Sequence, residues 1–212
     1  LMNPFQPALA GGQDGVIFRL NPSLTALQFS SYYGGSQNDA CYSVKVDTLN
    51  NILTCGGTSS SNLTGINGLM GSYQGGKADG FVIKINPSGT ALLAGTYLGR
   101  TQYDQAFFVE IDRDNKVYVL GQSVGGTFPI WNAPYNNPNS SQFIIKLSDN
   151  LGTNLASATI GNGSPGINIS PSAFLVDICG NMYVSGWGAN ILQNIPLSGM
   201  PTTANAFQAT TT

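Results

Sequence analysis

Histidine is absent from the 212 residues. That removes the commonest general base, the Ser-His-Asp class of triad and the usual zinc sites. Charge is nearly as scarce: 8% of residues are Asp, Glu, Lys or Arg, against roughly 25% in an average soluble domain. Gly, Ser, Thr and Asn fill the surface instead, which suits an exported protein better than a cytosolic one. Eight basic and ten acidic residues leave a formal net charge of −2. The cations are scattered, so no electrostatic footprint for nucleic acid or an anionic membrane is present. No apolar run approaches the 18 or so residues of a membrane span, so no insertion is expected, and Leu1-Met2-Asn3-Pro4 lacks the basic and apolar regions of a signal peptide. A chain that starts on Leu1 and stops at Thr210-Thr211-Thr212 is expected to be a piece of a longer one. Cysteine is limited to Cys41, Cys55 and Cys179. The odd count leaves a thiol unpaired, and no spacing fits a zinc knuckle or redox pair. A hairpin turning near Leu49 and Asn50 puts Cys41 and Cys55 about three residues out of register, so they read as small buried hydrophobes.

What the chain has in abundance is itself. Asp47, Asp112 and Asp177 recur every 65 residues, each followed after nine residues by Gly56, Gly121 or Gly186. Asp14-Gly15-Val16-Ile17-Phe18-Arg19-Leu20-Asn21-Pro22-Ser23 returns as Asp79-Gly80-Phe81-Val82-Ile83-Lys84-Ile85-Asn86-Pro87-Ser88, with a shorter copy at Phe143-Ile144-Ile145-Lys146-Leu147-Ser148. A fixed period means stacked supersecondary units, here about 11–74, 75–138 and 139–208 within one segment spanning 1–212.

Within each unit the period is that of strands. Tyr42 to Asp47 alternates apolar and polar residues, and Phe107 to Asp112 keeps the phase with its other face partly apolar. Tight turns rich in Asn, Asp and Gly follow, then second strands at Ile52 to Cys55, Val117 to Leu120 and Met182 to Ser185. Third strands at Val16 to Leu20, Phe81 to Ile85 and Phe143 to Leu147 lead, in the first two units, through Asn-Pro-Ser into a fourth, Ala26 to Tyr33 or Ala91 to Leu98. No 3.6-residue stripe lasts three turns. The expected fold class is all-β, with β-propeller blades of four antiparallel strands.

Asp79 to Leu92, Thr96-Tyr97-Leu98-Gly99, Val176 to Gly186, and Pro201 to Gln208 with its echo Asn3-Pro4-Phe5-Gln6 resemble the SBBP class of bacterial β-propeller repeat. The resemblance covers almost the whole chain. It implies a large exported or cell-surface bacterial protein, in gliding Bacteroidetes often a type IX secretion substrate, and no enzymatic activity. The units are longer than usual, and the third lacks the Asp-Gly and Asn-Pro landmarks. By analogy with related repeats, Tyr42 to Asp47, Phe107 to Asp112 and Ala173 to Asp177 line the central channel. The chain then runs as an outer half-blade, two whole blades and an inner half-blade. That makes about three blades, fewer than the roughly four to eight that close a ring. Further blades or domains of the same longer chain are therefore the expected partners, with surface or secretion-machinery proteins beside them.

In that phase the long excursions, Thr58 to Lys77, Ser123 to Ser141 and Gly188 onward, emerge on one face. They carry Trp131, Tyr135 and Trp187, joined by Asp39, Tyr103 and Asp104 from shorter connections. Rings with neighbouring polar groups are what sugar recognition needs; equally, these residues could serve only to pack their own loops. Asp112 and Asp114 are read as bonding turn backbone, and Asp112-Arg113-Asp114-Asn115 lacks the rest of an EF-hand, leaving only an oxygen-ligated Ca²⁺ site without a compact signature. Arg19, Lys84 and Lys146 share one third-strand position and read as solvated outward charges. Gly-Gly and Asp-Gly pairs read as turns. Asn62, Asn139, Asn162 and Asn168 sit in N-glycosylation sequons, and Asp47-Thr48-Leu49 resembles a short Bacteroidetes O-glycosylation motif, making Thr48 its acceptor. The leading expectation is a noncatalytic scaffold or protein-interaction module; the alternative is a carbohydrate-binding, lectin-like propeller, with a glycosidase or lyase third.

Overall fold

In a computed structural model that describes residues 1–190, 195–196 and 199–208, every element is a strand. The order is β1 (Gly15–Leu20), β2 (Leu27–Tyr33), β3 (Asp39–Val46), β4 (Ile52–Thr58), β5 (Asp79–Ile85), β6 (Leu92–Leu98), β7 (Asp104–Ile111), β8 (Val117–Ser123), β9 (Gln142–Leu147), β10 (Asn154–Ile160), β11 (Ser170–Val176) and β12 (Met182–Trp187), then the short pair β13 (Ala189–Asn190) and β14 (Ile195–Pro196). Two antiparallel sheets have four strands, in the orders β3-β4-β5-β6 and β7-β8-β9-β10. They are flanked by the two-stranded sheets β1-β2 and β11-β12. The fold is thus all-β, built of four-stranded antiparallel blades with a half-blade at either end, and the described residues form no closed ring.

The blades pack face to face. Leu53, Cys55, Val82 and Leu98 of the first whole blade meet Val109, Val119, Phe143 and Ile145 of the second in one buried cluster. Ile17, Phe29 and Tyr33 of the leading half-blade cover Phe81, Ile83 and Ile85, and Phe174 and Val176 cover Tyr118 and Leu120. Both faces of a whole blade are therefore apolar, which explains why β4, β5 and β8 are buried along their full length. The first strands lie side by side, β3 against β7 and β7 against β11. Lys45 of β3 meets Glu110 of β7 at 2.8 Å, and the rings of Tyr42 and Phe107 stack with centroids 6.1 Å apart.

The repeating glycine has a physical cause. Each first strand carries a β-bulge, at Tyr42, Phe107 and Ser172, one period apart. Gly56, Gly121 and Gly186 pair with the residue just before it. A β-carbon there would strike the carbonyl of Ala40, Gln105 or Ser170, so the bulge can form only over a bare α-carbon. The bulge also corrects the cysteine register. Cys41 lies opposite Gly56 and Cys55 opposite Ser43, one position apart rather than three, and both are free thiols.

Two readings are corrected. Asp79-Gly80 opens β5 instead of turning, with Asp79 wholly buried. The long excursions do not stay on one face: they run along the outermost strands. Asn67 and Gly68 donate to the Gly95 carbonyl of β6, and Trp131 exchanges two backbone bonds with Ser157 of β10, as Met2 bridges Ser30 of β2. Residues 191–194, 197–198 and 209–212 of the last excursion lie outside the described residues. The third unit keeps the expected fourth strand, β10, despite lacking the Asn-Pro landmark, and reaches it by a turn with the same backbone as the other two. Leu24, Gly89 and Leu151 take positive φ at equivalent places (58°, 74° and 60°), and Ser148 Oγ takes over the side-chain acceptor role of Asn21 and Asn86.

Candidate functional site

The chemistry-bearing groups that the fold repeats sit where the first hairpin of each blade turns. Asp47 Oδ1 accepts from the backbone N–H of Leu49 (2.9 Å) and Asn51 (2.8 Å); Asp112 Oδ1 does so from Asp114 and Lys116, and Asp177 Oδ1 from Cys179 and Asn181. Asn50, Asn115 and Gly180 supply the left-handed residue each turn needs. The carboxylates are structural, as their spacing suggests, and this includes Asp112, whose neighbour Asp114 contributes backbone only.

Arg19 is exposed, but Lys84 and Lys146 are not solvated outward charges. Lys84, 6% exposed, reaches Asp47 at 2.9 Å and also pairs with Asp149 of the next blade. Burial alone would lower the Lys84 pKa, but these two carboxylates outweigh it and raise it. Lys146 lies 3.3 Å from Asp112 and 4.7 Å from the Tyr118 ring centroid, while Tyr118 donates to the same carboxylate. Burial opposes ionisation of Asp47 and Asp112, yet the turn amides and the lysines hold both below the usual carboxylate range. The missed signal was joint recurrence: Lys84 and Lys146, 62 residues apart, hold one third-strand position while Asp47 and Asp112, 65 apart, hold one turn position.

The six residues singled out from sequence fall in separate places. Asp39 and Tyr103 border one hollow of about 210 Å³ with Tyr42 and Lys77. Asp39 is buried, and its oxygens are taken by Gly35 N (2.7 Å), Ser60 Oγ (2.8 Å) and the Thr58 hydroxyl. Asp104 is buried at the start of β7 and accepts from Arg100 N at 2.7 Å. Trp131 and Tyr135 stand exposed along β10, Tyr135 at the rim of a larger cleft of about 580 Å³ between the second whole blade and β12. Trp187 ends β12, opposite Ser170, and is exposed. Thr48 sits in its exposed turn, donating to Asn115 Oδ1 of the neighbouring blade at 2.9 Å.

One buried carboxyl pair escapes a residue-by-residue reading, although Asp79, Gly99 and Asp104 repeat Asp14, Gly34 and Asp39 at 65 residues. Asp79 and Asp104 approach from adjacent blades beside Gly99, whose added β-carbon would lie 2.7 Å from Asp79 Oδ1 and 2.9 Å from Asp104 Oδ2. The Oδ1 atoms of both accept no hydrogen bond. Burial pushes Asp79 up to about 7, the Gln74 amide opposing and the Asp104 charge adding, and burial raises Asp104 too. Among the described residues no group of three or more Cys, Asp or Glu is placed to hold a metal ion. Burial drives the Cys41 thiol up to about 12, which removes it as a nucleophile.

Neither a family model nor a curated protein matches the chain. The functional reading therefore stands on the geometry. The repeated ion pairs tie turns to strands, and an apolar concavity of about 580 Å³ lies beside an unpaired strand edge.

Proposed function

We propose that residues 1–212 are a noncatalytic β-propeller segment of the SBBP repeat class, serving as a scaffold and protein-interaction module in a larger secreted or surface-attached bacterial protein. One observation carries this reading: β12 is exposed at every residue, whereas its equivalents β4 and β8 are buried throughout. A strand built for the interior of a blade is offered to something beyond the segment. The sparse charge and the absence of histidine support an exported, nonhydrolytic role. Intact mass and location of the native protein in its source, with turnover assays on glycans and peptides, test it. The expectation is an exported chain well above 22.2 kDa without turnover. Hydrolysis abolished by a carboxylate substitution would overturn it. Carbohydrate recognition by the exposed rings of Trp131, Tyr135 and Trp187 is the second reading, and a blank glycan array would count against it.

A further inference from the structure

At the junction between the two whole blades we infer a Ca²⁺ site, built from Asp79 at the start of β5, Asp104 at the start of β7 and Ser123 at the end of β8. It lies apart from the turn ion pairs and goes beyond the scaffold role, requiring only that the two blades pack as they do.

The same corner occurs twice, and the comparison carries the inference. Asp14, Gly34 and Asp39 form it between the leading half-blade and the first whole blade, and Asp79, Gly99 and Asp104 form it 65 residues on. A β-carbon on Gly34 would lie 2.7 Å from both Asp14 Oδ1 and Asp39 Oδ2; one on Gly99 would lie 2.7 Å from Asp79 Oδ1 and 2.9 Å from Asp104 Oδ2. The bare α-carbon lets two carboxylates from neighbouring blades converge.

In the first corner a hydrogen bond reaches every carboxylate oxygen. Asp14 accepts from Gln6 Nε2 (2.6 Å), Ala10 N (2.9 Å) and Gly11 N (3.3 Å). Asp39 accepts from Gly35 N, Ser60 Oγ and the Thr58 hydroxyl. In the second corner the side-chain donors are gone. Met70 stands in the place of Gln6: its N–H donates to Thr96 Oγ1 at 2.7 Å, as Gln6 N–H donates to Ser31 Oγ at 2.9 Å. Gly125 stands one period after Ser60. Asp79 keeps the Gln74 N–H at 2.5 Å and Asp104 the Arg100 N–H at 2.7 Å.

The oxygens left over point to a ligand. Asp79 Oδ1 and Asp104 Oδ1 accept nothing. Burial raises the Asp104 pKa and is opposed first by the neighbouring Ser123 hydroxyl, yet that hydroxyl, one period after Thr58, makes no hydrogen bond of proper geometry. All three residues are 0% exposed, and among the described residues neither acid has an ion-pair partner. Two buried carboxylates without a counter-charge are costly. Ca²⁺ takes hard oxygen ligands in flexible geometry and brings the two positive charges that balance the pair, whereas Mg²⁺ retains its waters and demands an octahedron, which suits so dry a corner less well. Around Gly161 the neighbours are instead Asn168 and Ser140, which accept from the N–H groups of Asn162 and Gly163, so no charge needs balancing there.

The test uses the full-length native protein and full-length variants of it, followed by hydrogen exchange with peptide mapping in Ca²⁺ and in EGTA. Two carboxylates place the affinity with the weak extracellular sites, Kd on the order of 10⁻⁴ to 10⁻³ M. At about 10 mM Ca²⁺ the segments 74–79 and 100–104 should therefore exchange about tenfold more slowly than in EGTA. Asp79→Asn and Asp104→Asn should each abolish the slowing, and Asp39→Asn, in the corner already satisfied by hydrogen bonds, should keep it; the EGTA profile of each variant shows whether it is folded, and the wild-type comparison needs no variant. In EGTA only protonation relieves the pair, so the pH dependence of its stability belongs to the ion-free protein. No slowing in the wild type, slowing that survives Asp79→Asn, or slowing lost in a folded Asp39→Asn would each overturn the inference. The proposed function fails on turnover or on the native protein's location and mass, none of which this measurement reads.

Discussion

Asp79→Asn should remove most of the pH dependence of stability between pH 5 and 7.5. Asp79 is fully buried, and burial lifts its folded-state pKa from 3.8 to about 7. A raised carboxyl pKa means that the native state holds the proton more tightly than the unfolded chain. Its contribution is complete below about pH 4 and is lost as pH climbs through 7. At about 1.4 kcal/mol per pH unit the ceiling is about 4 kcal/mol, and screening leaves about 2 kcal/mol within the window. The chain has no histidine to titrate in this window, and the buried Asp104, whose carboxyl is raised too, adds a loss of the same sign that persists in the variant. The depressed groups Asp47 and Asp112 act in the opposite direction, below about pH 4, where acid takes their stabilisation away. Urea melts at pH 5 and 7.5 read the effect. With a slope near 3 kcal/mol per molar, the wild-type midpoint should fall by about 0.7 M. Asp79→Asn should match wild type at pH 5 and exceed it at pH 7.5, its amide oxygen keeping the bond from Gln74 N. A flat wild-type profile, or a variant no more stable at pH 7.5, would refute the reasoning.

Three further substitutions probe the frame. Lys84→Met leaves the Asp47 side chain, 1% exposed, without its cation and should destabilise by about 2 kcal/mol in urea melts; adding Asp47→Asn should recover part of the loss. Gly121→Ala drives a β-carbon into the Phe143 ring and the Gln105 carbonyl and should cost about 3 kcal/mol, whereas Gly71→Ala, with open space around it, should leave the thermal midpoint unchanged. Leu24→Gly relieves an exposed leucine held at φ 58° and should stabilise by about 1 kcal/mol.

Much of the fold was legible because strand, turn and period agree at every level. The Asp47, Asp112 and Asp177 turns, the Asn-Pro-Ser connections and the half-blade phase all follow from residues that local backbone geometry demands. The burial of Lys84 was not, since Phe81-Val82-Ile83-Lys84-Ile85 looks the same whether its cation faces water or two carboxylates. The path of the excursions was hidden for another reason. Length shows that a loop has material to place, but Trp131 binds Ser157 through backbone atoms, and backbone pairing leaves no residue signature. Asp79 misled because Asp-Gly is a turn pair in most settings; here the neighbouring blade buries it.

The offset between the sequence period and the blade has a consequence for how such chains change length. Because equivalent positions of neighbouring blades lie 65 residues apart, a duplication or loss of one such unit, cut at any loop, adds or removes a whole blade and leaves every remaining blade with its four strands.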